Sequence, residues 1–196
     1  MKTLITEFIS LDGVVQAPGA PIAEVDAGFP HSNWMTRYMD PEVIGGVFDE
    51  LSAQSDALLQ GRHTYLMSAS AWPSQSGFPF ADWINRVQKY VVSDTLTEDT
   101  ITWQPTTIIR GKDFLETVRD LRQQPGGYVY IYGSRAMVQS LLAADLVDEL
   151  VLTVVPVVFG TGTKLFPDLA EPLTFDLIST GRASTGAQIF RYARVR

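Results

Sequence analysis

The stretch from Tyr128 to Phe166 constrains the fold most, because a strand, a turn, a helix and a second strand follow one another in it with almost no spacer. Residues 129–132 form a short β-branched and aromatic run between glycines, which is typical of a strand buried on both faces. Apolar residues then recur at helical spacing over residues 136–146, and residues 150–158 form a second apolar run. The pattern predicts a βαβ unit at the centre of an α/β domain.

The first turn of this unit is Gly133-Ser134, and the helix is predicted to start at Ser134. Backbone N–H groups and the positive end of the helix dipole make such a turn a common phosphate site. Turn chemistry with an N-capping serine explains the same pair equally well. A second strand–glycine–helix junction follows the strand predicted at residues 57–60. Its residues 61–65 supply a guanidinium, an imidazole and a hydroxyl that suit a phosphate ester, although they also fit an ordinary polar helix start.

The rest of the chain continues to alternate strands with helices. Residues 4–11 predict an opening strand with apolar residues on both faces, and Asp40-Pro41-Glu42 predicts a capped helix that runs to about Gln54. The elements predicted between the two junctions are a loop at 71–80, a short helix at 83–87, and strands at 89–93 and 106–109. A helix capped by Asp113 follows, and Pro125-Gly126-Gly127 ends it. Residues 173–180 and 187–195 predict a C-terminal hairpin. Together these elements predict a three-layer α/β domain with a mostly parallel sheet.

One long segment, residues 16–32, is too rich in proline and glycine for regular structure. Loops of this length in compact domains are more often functional than idle, and we interpret the segment as a lid over a site.

Charge and composition exclude several classes of protein. The net charge of −7 argues against nucleic acid or an anionic membrane as the main partner. The chain has no cysteine, and its two histidines, His31 and His63, are too far apart to suggest a zinc site, so no metal is expected. The N-terminal residues carry an early Glu7 and alternate as a strand, so neither a signal peptide nor a spanning segment is expected and a cytoplasmic location is predicted. Nothing in the composition breaks residues 1–196 into parts, which predicts a single domain.

Taken in order, the motifs resemble the dihydrofolate-reductase-like superfamily, and within it most closely the RibD-type C-terminal reductase domain of bacterial riboflavin biosynthesis. The match extends over nearly the whole chain. The residues that carry it are Ser10-Leu11-Asp12-Gly13, 58–65, 89–93, Tyr132-Gly133-Ser134, 146–150, 156–160 and 164–166.

The resemblance implies a dihydrofolate-reductase-like α/β/α fold with a mixed, mostly parallel sheet and an antiparallel C-terminal hairpin. It also implies an NADPH-dependent reductase, in which hydride passes to a small heterocyclic or sugar-derived substrate. The cofactor-binding residues that it implies are Val14, Val15, Gly61, Arg62, His63, Thr64, Ser93, Gly133, Ser134, Arg135 and Ala136. The charge of Arg62 favours NADPH over NADH.

The sequence defines the substrate-binding residues less clearly than the cofactor-binding residues. Folate reductases have a carboxylate on the first helix where this chain has Gly45-Gly46, which argues against dihydrofolate. The catalytic candidates are Asp12, which a plain Asp-Gly turn also explains, and Thr153, which strand propensity also explains. The candidates for a substrate pocket are Phe8, Trp34, Tyr38 and Asp49, with Phe29 and Trp72 as further aromatic walls; packing or a solvated helix face accounts for them equally well.

Two other functions stay open at this point. One is dihydrofolate-reductase-like activity, and the other is a non-catalytic module that binds a pterin, a flavin or a nucleotide. The small-molecule ligand is common to all three hypotheses. The apolar run at 151–159 fits either a sheet centre or a dimer face, and the resemblance favours a homodimer.

Overall fold

A computed structural model describes residues 1–196, apart from the side chains of residues 23 and 24. Its contacts divide the chain into two compact units. The first unit contains residues 1–5 and 47–147, and the second contains residues 6–46 and 148–196. The single domain predicted from composition stays a prediction.

The helices and strands follow the predicted alternation, with one correction: a four-residue helix lies within residues 16–32, which were predicted to have no regular structure. The strands are β1 (Lys2–Ser10), β2 (Ser55–Gly61), β3 (Gln88–Val92), β4 (Thr106–Ile109), β5 (Tyr128–Ile131), β6 (Glu149–Val155), β7 (Phe175–Arg182) and β8 (Gln188–Arg194). The α-helices are α1 (Ala23–Asp26), α2 (Val43–Ala53), α3 (Arg62–Ala71), α4 (Pro79–Arg86), α5 (Phe114–Gln123) and α6 (Arg135–Ala143). Across the described helices, none is both long enough and apolar enough to cross a membrane.

In the first unit the strands lie in the order β4-β3-β2-β5-β1, and the pairs are parallel. Strand β2 pairs with both β3 and β5, so that Leu59 lies opposite Tyr90 on one side and Ile131 on the other. Its residues 57–61 are all buried, as expected for a parallel strand covered on both faces.

In the second unit the order is β1-β6-β8-β7, and β8 pairs antiparallel with both β6 and β7. Strand β6 is almost entirely buried, so the apolar run at 151–159 begins at a sheet centre. The Arg191 guanidinium of β8 lies 2.8 Å from the Glu149 carboxylate of the neighbouring strand β6. The predicted α/β class, with a mostly parallel sheet and an antiparallel C-terminal hairpin, is confirmed.

Several predicted element ends are corrected. Helix α4 begins at Pro79 rather than residue 83, because proline is favoured at a first helical position, so the predicted loop at 71–80 is shorter. Strand β6 ends at Val155, because Pro156 has no N–H to donate to a strand ladder. Asp113 and Ser134 occupy N-cap positions, but within the described residues neither side chain makes a cap hydrogen bond.

Asp40 caps α2 as predicted. Its Oδ1 accepts the Val43 N–H at 3.0 Å, and its Oδ2 accepts both the N–H and the hydroxyl of Ser184 at 2.8 and 2.7 Å. The hydrogen bonds from Val43 and Ser184 lower the pKa of Asp40 to about 2. One carboxylate therefore fixes both the start of α2 and the turn between β7 and β8 in the second unit.

A lysine is buried inside the first unit. Lys89 of β3 is 1% exposed, and its ammonium donates to the carbonyl oxygens of Val87, Asn85 and Gln104 at 3.0, 3.3 and 3.4 Å. The same nitrogen lies 4.5 Å from the centre of the Trp103 ring. Burial lowers the pKa of Lys89 to about 8.

Candidate functional site

Two helix-starting turns lie side by side in the first unit. Helix α3 begins at Arg62 directly after β2, and α6 begins at Arg135 shortly after β5. Because β2 and β5 are neighbouring parallel strands, both turns lie at the same end of the sheet. The N–H groups that start the two helices are thus brought close together, as an extended anionic group requires.

Close packing between these turns explains their glycines. A Cβ atom on Gly61 would lie 2.5 Å from the Ser134 hydroxyl, and one on Gly133 would lie 2.6 Å from the Thr64 hydroxyl. Gly133 also has a φ of +55°, which favours glycine, and its peptide bond to Ser134 is cis. The structure therefore brings together four predicted cofactor residues that the sequence separates by about 70 positions.

Basic side chains surround these turns. One guanidinium nitrogen of Arg62 lies 2.6 Å from Nε2 of His63. Because a guanidinium can only donate, His63 accepts at Nε2 in this contact. Arg135, at the start of α6, is exposed and contacts Gln139 one turn later at 3.3 Å, next to exposed Ala136. Positive charge and helix N-termini occur at one place, so these residues fit a phosphate-bearing ligand.

Ser93 follows β3, the next strand in the sheet. Its buried hydroxyl accepts the N–H groups of Thr95 and Leu96 at 3.2 and 3.0 Å, which closes the turn. Arg110, after β4, donates to the carbonyl oxygens of Ser93 and Leu96 at 2.8 and 2.9 Å. Sequence analysis missed Arg110, although its position directly after a predicted strand was a usable signal.

In the second unit, Asp12 fastens one loop to another. Its carboxylate accepts the Ser10 hydroxyl at 2.6 Å and the N–H groups of Gly160 and Phe159 at 2.8 and 3.2 Å. The bonds from Ser10 and then Gly160 lower the pKa of Asp12 to about 2. A carboxylate this acidic is poorly matched to proton transfer near neutral pH, and its contacts hold the two loops together. The predicted catalytic role stays a prediction.

The same two loops are joined at several further points. Val15 donates its N–H to the Thr163 carbonyl at 3.0 Å, and buried Val14 donates to the Ser10 hydroxyl at 2.8 Å. The Gln16 side-chain oxygen accepts both the N–H and the hydroxyl of Thr163, at 3.0 and 3.1 Å. Residues 10–16 are therefore held along residues 157–165, which fixes the backbone at Val14 and Val15.

Aromatic side chains cover this pair of loops. The rings of Phe29 and Trp34 lie 5.6 and 5.5 Å from that of Phe159, and His31 stacks on Phe159 at 5.3 Å. The Trp34 indole N–H donates to the Gln16 carbonyl at 2.8 Å. The segment that we interpreted as a lid is thus packed against the loops that carry Asp12 and Val14.

The other predicted residues occupy separate places. Thr153 is buried on β6 opposite Ile189, Phe8 is partly exposed on β1, and the Tyr38 carbonyl accepts the Thr185 hydroxyl at 2.7 Å. Asp49 belongs to the first unit, where its carboxylate accepts the Phe80 N–H at 2.9 Å at the start of α4. Their predicted roles toward a substrate stay predictions.

Comparison with known proteins agrees with this architecture. The family described as RibD C-terminal domain matches residues 2–189. YyaP, an uncharacterised protein of Bacillus subtilis (strain 168), is 28% identical over 190 residues, which cover 94% of this chain and 90% of YyaP.

Among solved structures, a candidate riboflavin biosynthesis protein of Shewanella sp. PV-4 superposes with a TM-score of 0.69 at 23% identity, with 100% of both chains covered. The dihydrofolate reductase of Enterococcus faecalis, solved with NADP(H), superposes with a TM-score of 0.62 at 14% identity, over 100% of this chain and 97% of that one. These similarities confirm the dihydrofolate-reductase-like fold.

Proposed function

Because the chain belongs to the RibD C-terminal domain family, we propose that it is an NADPH-dependent reductase of the riboflavin-biosynthesis type. Family membership and the reductases among its structural neighbours support an oxidoreductase. The observation that carries the proposal is the contact between the two helix-starting turns, where Gly61 and Thr64 meet Ser134 and Gly133 beside the charge of Arg62.

Each group of residues has its own role in the proposal. NADPH, when bound, supplies the hydride. Arg62, His63 and Thr64 bind the phosphate on the adenosine, with Ser93 on the neighbouring turn. The start of α6, Gly133 to Ala136, binds the pyrophosphate through backbone N–H groups. Val14 and Val15 belong to the loop that the family resemblance assigns to the nicotinamide. Because NADPH is a cytoplasmic reductant, the cytoplasm is the proposed location.

The proposed substrate is 5-amino-6-(5-phosphoribosylamino)uracil or a close relative. Dihydrofolate is disfavoured, because Gly45 and Gly46 of α2 provide no carboxylate and a Cβ at either position meets no described atom within 4 Å. A non-catalytic binding module remains a distinct outcome of the experiments below.

The first test is cofactor binding, measured by titrating the protein with NADPH and with NADH and following tryptophan fluorescence. Arg62→Ala should raise the Kd for NADPH about tenfold or more, since charge-assisted hydrogen bonds are lost, and change the Kd for NADH much less. Arg119→Ala, an exposed arginine on α5, is the matched control and should leave both Kd values unchanged.

Failure to bind NADPH would contradict the proposal, as would equal weakening of both nucleotides by Arg62→Ala. If NADPH binds, its oxidation in the presence of the uracil substrate, followed by absorbance, separates a reductase from a binding module. A module would bind without consuming NADPH.

A further inference from the structure

A buried amide in the first unit is only half satisfied. Gln60, near the end of β2, is 1% exposed, and its Nε2 donates to the Ser68 hydroxyl at 3.0 Å. Its other polar atom, Oε1, is buried and has no hydrogen-bond partner among the described residues. Unsatisfied buried polar atoms are unfavourable, and in native proteins they concentrate at functional sites. The orientation of this amide therefore needs an explanation.

The hydrogen-bond direction along this cluster supplies one. The Ser68 hydroxyl lies 2.9 Å from the hydroxyl of Tyr132. Because an amide nitrogen can only donate, Ser68 accepts from Gln60, whereas either hydroxyl can donate in the bond between Ser68 and Tyr132. When Ser68 is the donor, Tyr132 accepts and its own proton is available to another acceptor. In that direction the three side chains form a chain of hydrogen bonds that ends at the Tyr132 O–H.

The Tyr132 phenol stays protonated in this setting. Burial raises the pKa of Tyr132 to about 12, and hydrogen bonds with Ser68, Gln60 and Trp72 oppose that rise only in part. The phenol is therefore a neutral donor at physiological pH. A neutral O–H group can donate to a carbonyl oxygen or to a ring nitrogen.

Aromatic rings lie along one side of the cluster. Tyr130 packs edge-on to Tyr132 at 6.2 Å, and Trp72 lies 5.2 Å from Phe80 and 6.5 Å from the exposed Phe78. Trp72 and Tyr132 are themselves partly exposed. A planar ring that reaches the Tyr132 hydroxyl would therefore meet apolar aromatic surface beside it.

The cluster also lies next to the two turns already described. Tyr132 directly precedes Gly133, and Ser68 is on α3, less than two helical turns after Arg62. The donor and the proposed phosphate-binding groups thus belong to the same two strand–helix junctions.

We propose that the Tyr132 hydroxyl, oriented by Gln60 through Ser68, donates a hydrogen bond to a carbonyl or ring-nitrogen acceptor on the planar heterocycle of the substrate. Tyr132 binds the substrate directly, and Gln60 and Ser68 are positioning residues. The inference rests on the proposed function, and it adds Tyr132 as a residue that recognises the heterocycle of the substrate.

The test measures binding of 5-amino-6-(5-phosphoribosylamino)uracil by calorimetry, with NADP+ present so that no turnover occurs. Tyr132→Phe should raise the Kd of the uracil about tenfold, because one hydrogen bond in a desolvated setting is lost. The Kd for NADPH should be unchanged. Tyr128→Phe removes the same hydroxyl at the other end of β5 and should leave the Kd of the uracil unchanged.

Ser68→Ala provides a second readout, because it breaks the chain of hydrogen bonds and keeps the phenol. It should weaken uracil binding by a smaller factor in the wild-type chain and have no additional effect in the Tyr132→Phe background. A merely structural role for Ser68 would weaken binding equally in both backgrounds.

Equal Kd values for the wild type and Tyr132→Phe would overturn the inference. So would a wild-type chain that binds NADPH and not the uracil, in which case the NADPH site would stand. A wild-type chain that does not bind NADPH is a separate result, and it would overturn the proposed function.

Discussion

At the residue scale, Lys89 is unusual because its ammonium group is buried in the protein interior, where lysine is seldom found. Three carbonyl oxygens and the face of Trp103 replace the water that it loses. Carbonyl dipoles compensate a charge only in part, which is why burial lowers the pKa of this lysine from 10.5 to about 8. The folded state therefore favours the neutral amine more than the unfolded state does.

This shift predicts how stability depends on pH. Between about pH 8 and pH 10.5 the unfolded chain binds the lysine proton and the folded chain does not, so the free energy of unfolding contributed by Lys89 rises with pH across this window. Lys89→Met should flatten that rise relative to the wild type in urea denaturation series. Exposed Lys2→Met is the control and should keep the wild-type slope. Identical slopes for Lys89→Met and the wild type would show that the two states bind the proton alike.

Some residues of the candidate site could be predicted from the sequence, and others could not. Arg62, Thr64 and Ser134 could be singled out, because each lies within three residues after a strand–glycine pattern. Their mutual contacts could not be predicted, since these depend on β2 and β5 being neighbours in the sheet. Gln60 and Tyr132 lie at strand ends, where a polar or phenolic side chain is indistinguishable from ordinary strand composition.

At the element scale, α2 has a first turn stabilised by a capping carboxylate and an interior destabilised by two glycines. Asp40 fixes its first turn, as the Asp-Pro pattern predicted, yet Gly45 and Gly46 follow within that helix. Glycine in a helix interior is unfavourable because it loses the most backbone freedom on folding. Nothing among the described atoms lies within 4 Å of a Cβ at Gly46, so packing does not require glycine there.

Gly46→Ala should therefore stabilise the chain by about 0.5–1 kcal/mol, measured as the free energy of unfolding in urea. Gly13→Ala is the matched comparison. A Cβ at Gly13 also meets open space, but its φ of +86° disfavours any other residue, so this change should destabilise by about 1 kcal/mol. Destabilisation by Gly46→Ala would mean that the glycine pair has a structural role that these contacts do not show.

Element types were more predictable than element ends. Local patterns identified the strand, turn and helix over 128–143, because hydrophobic period and glycine punctuation are local properties. The start of α4 was misplaced although Pro79 was a local signal for it, and the Asp49 carboxylate of α2 then supplies the first turn with an acceptor from another part of the chain. Contacts of that kind leave no local signal.

At the scale of the whole molecule, strand order was the feature least available from sequence. Neighbours such as β2 and β5 are separated by about 70 residues, and only tertiary packing selects that pairing. One end of the order is β7, and no further described strand pairs with its outer side. Leu177 and Ile178 on β7 are 54% and 50% exposed. A long exposed edge of this kind readily pairs with another strand.

We propose that a second copy of the chain pairs along β7 to form the homodimer that the family resemblance favours, since two identical strands can pair antiparallel about a two-fold axis. Light scattering should then give twice the chain mass of 21.7 kDa for the wild type. Replacing both Leu177 and Ile178 by lysine should return the single-chain mass, whereas Leu66→Lys, an exposed leucine on α3, should not. A wild-type chain of single mass would rule the pairing out.

The contacts between residues 10–16 and 157–165 of the second unit also determine which substitutions these loops tolerate. Asp12 bonds to the backbone N–H groups of Phe159 and Gly160, so these two bonds do not themselves require particular side chains there. The ring contacts of Phe159 and the φ of +70° at Gly160 constrain those two positions instead. Gln16 differs, because its oxygen also accepts the side-chain hydroxyl of Thr163. Over evolutionary time, we expect residues 16 and 163 to change together, and Asp12 to change together with Ser10, whose hydroxyl it accepts.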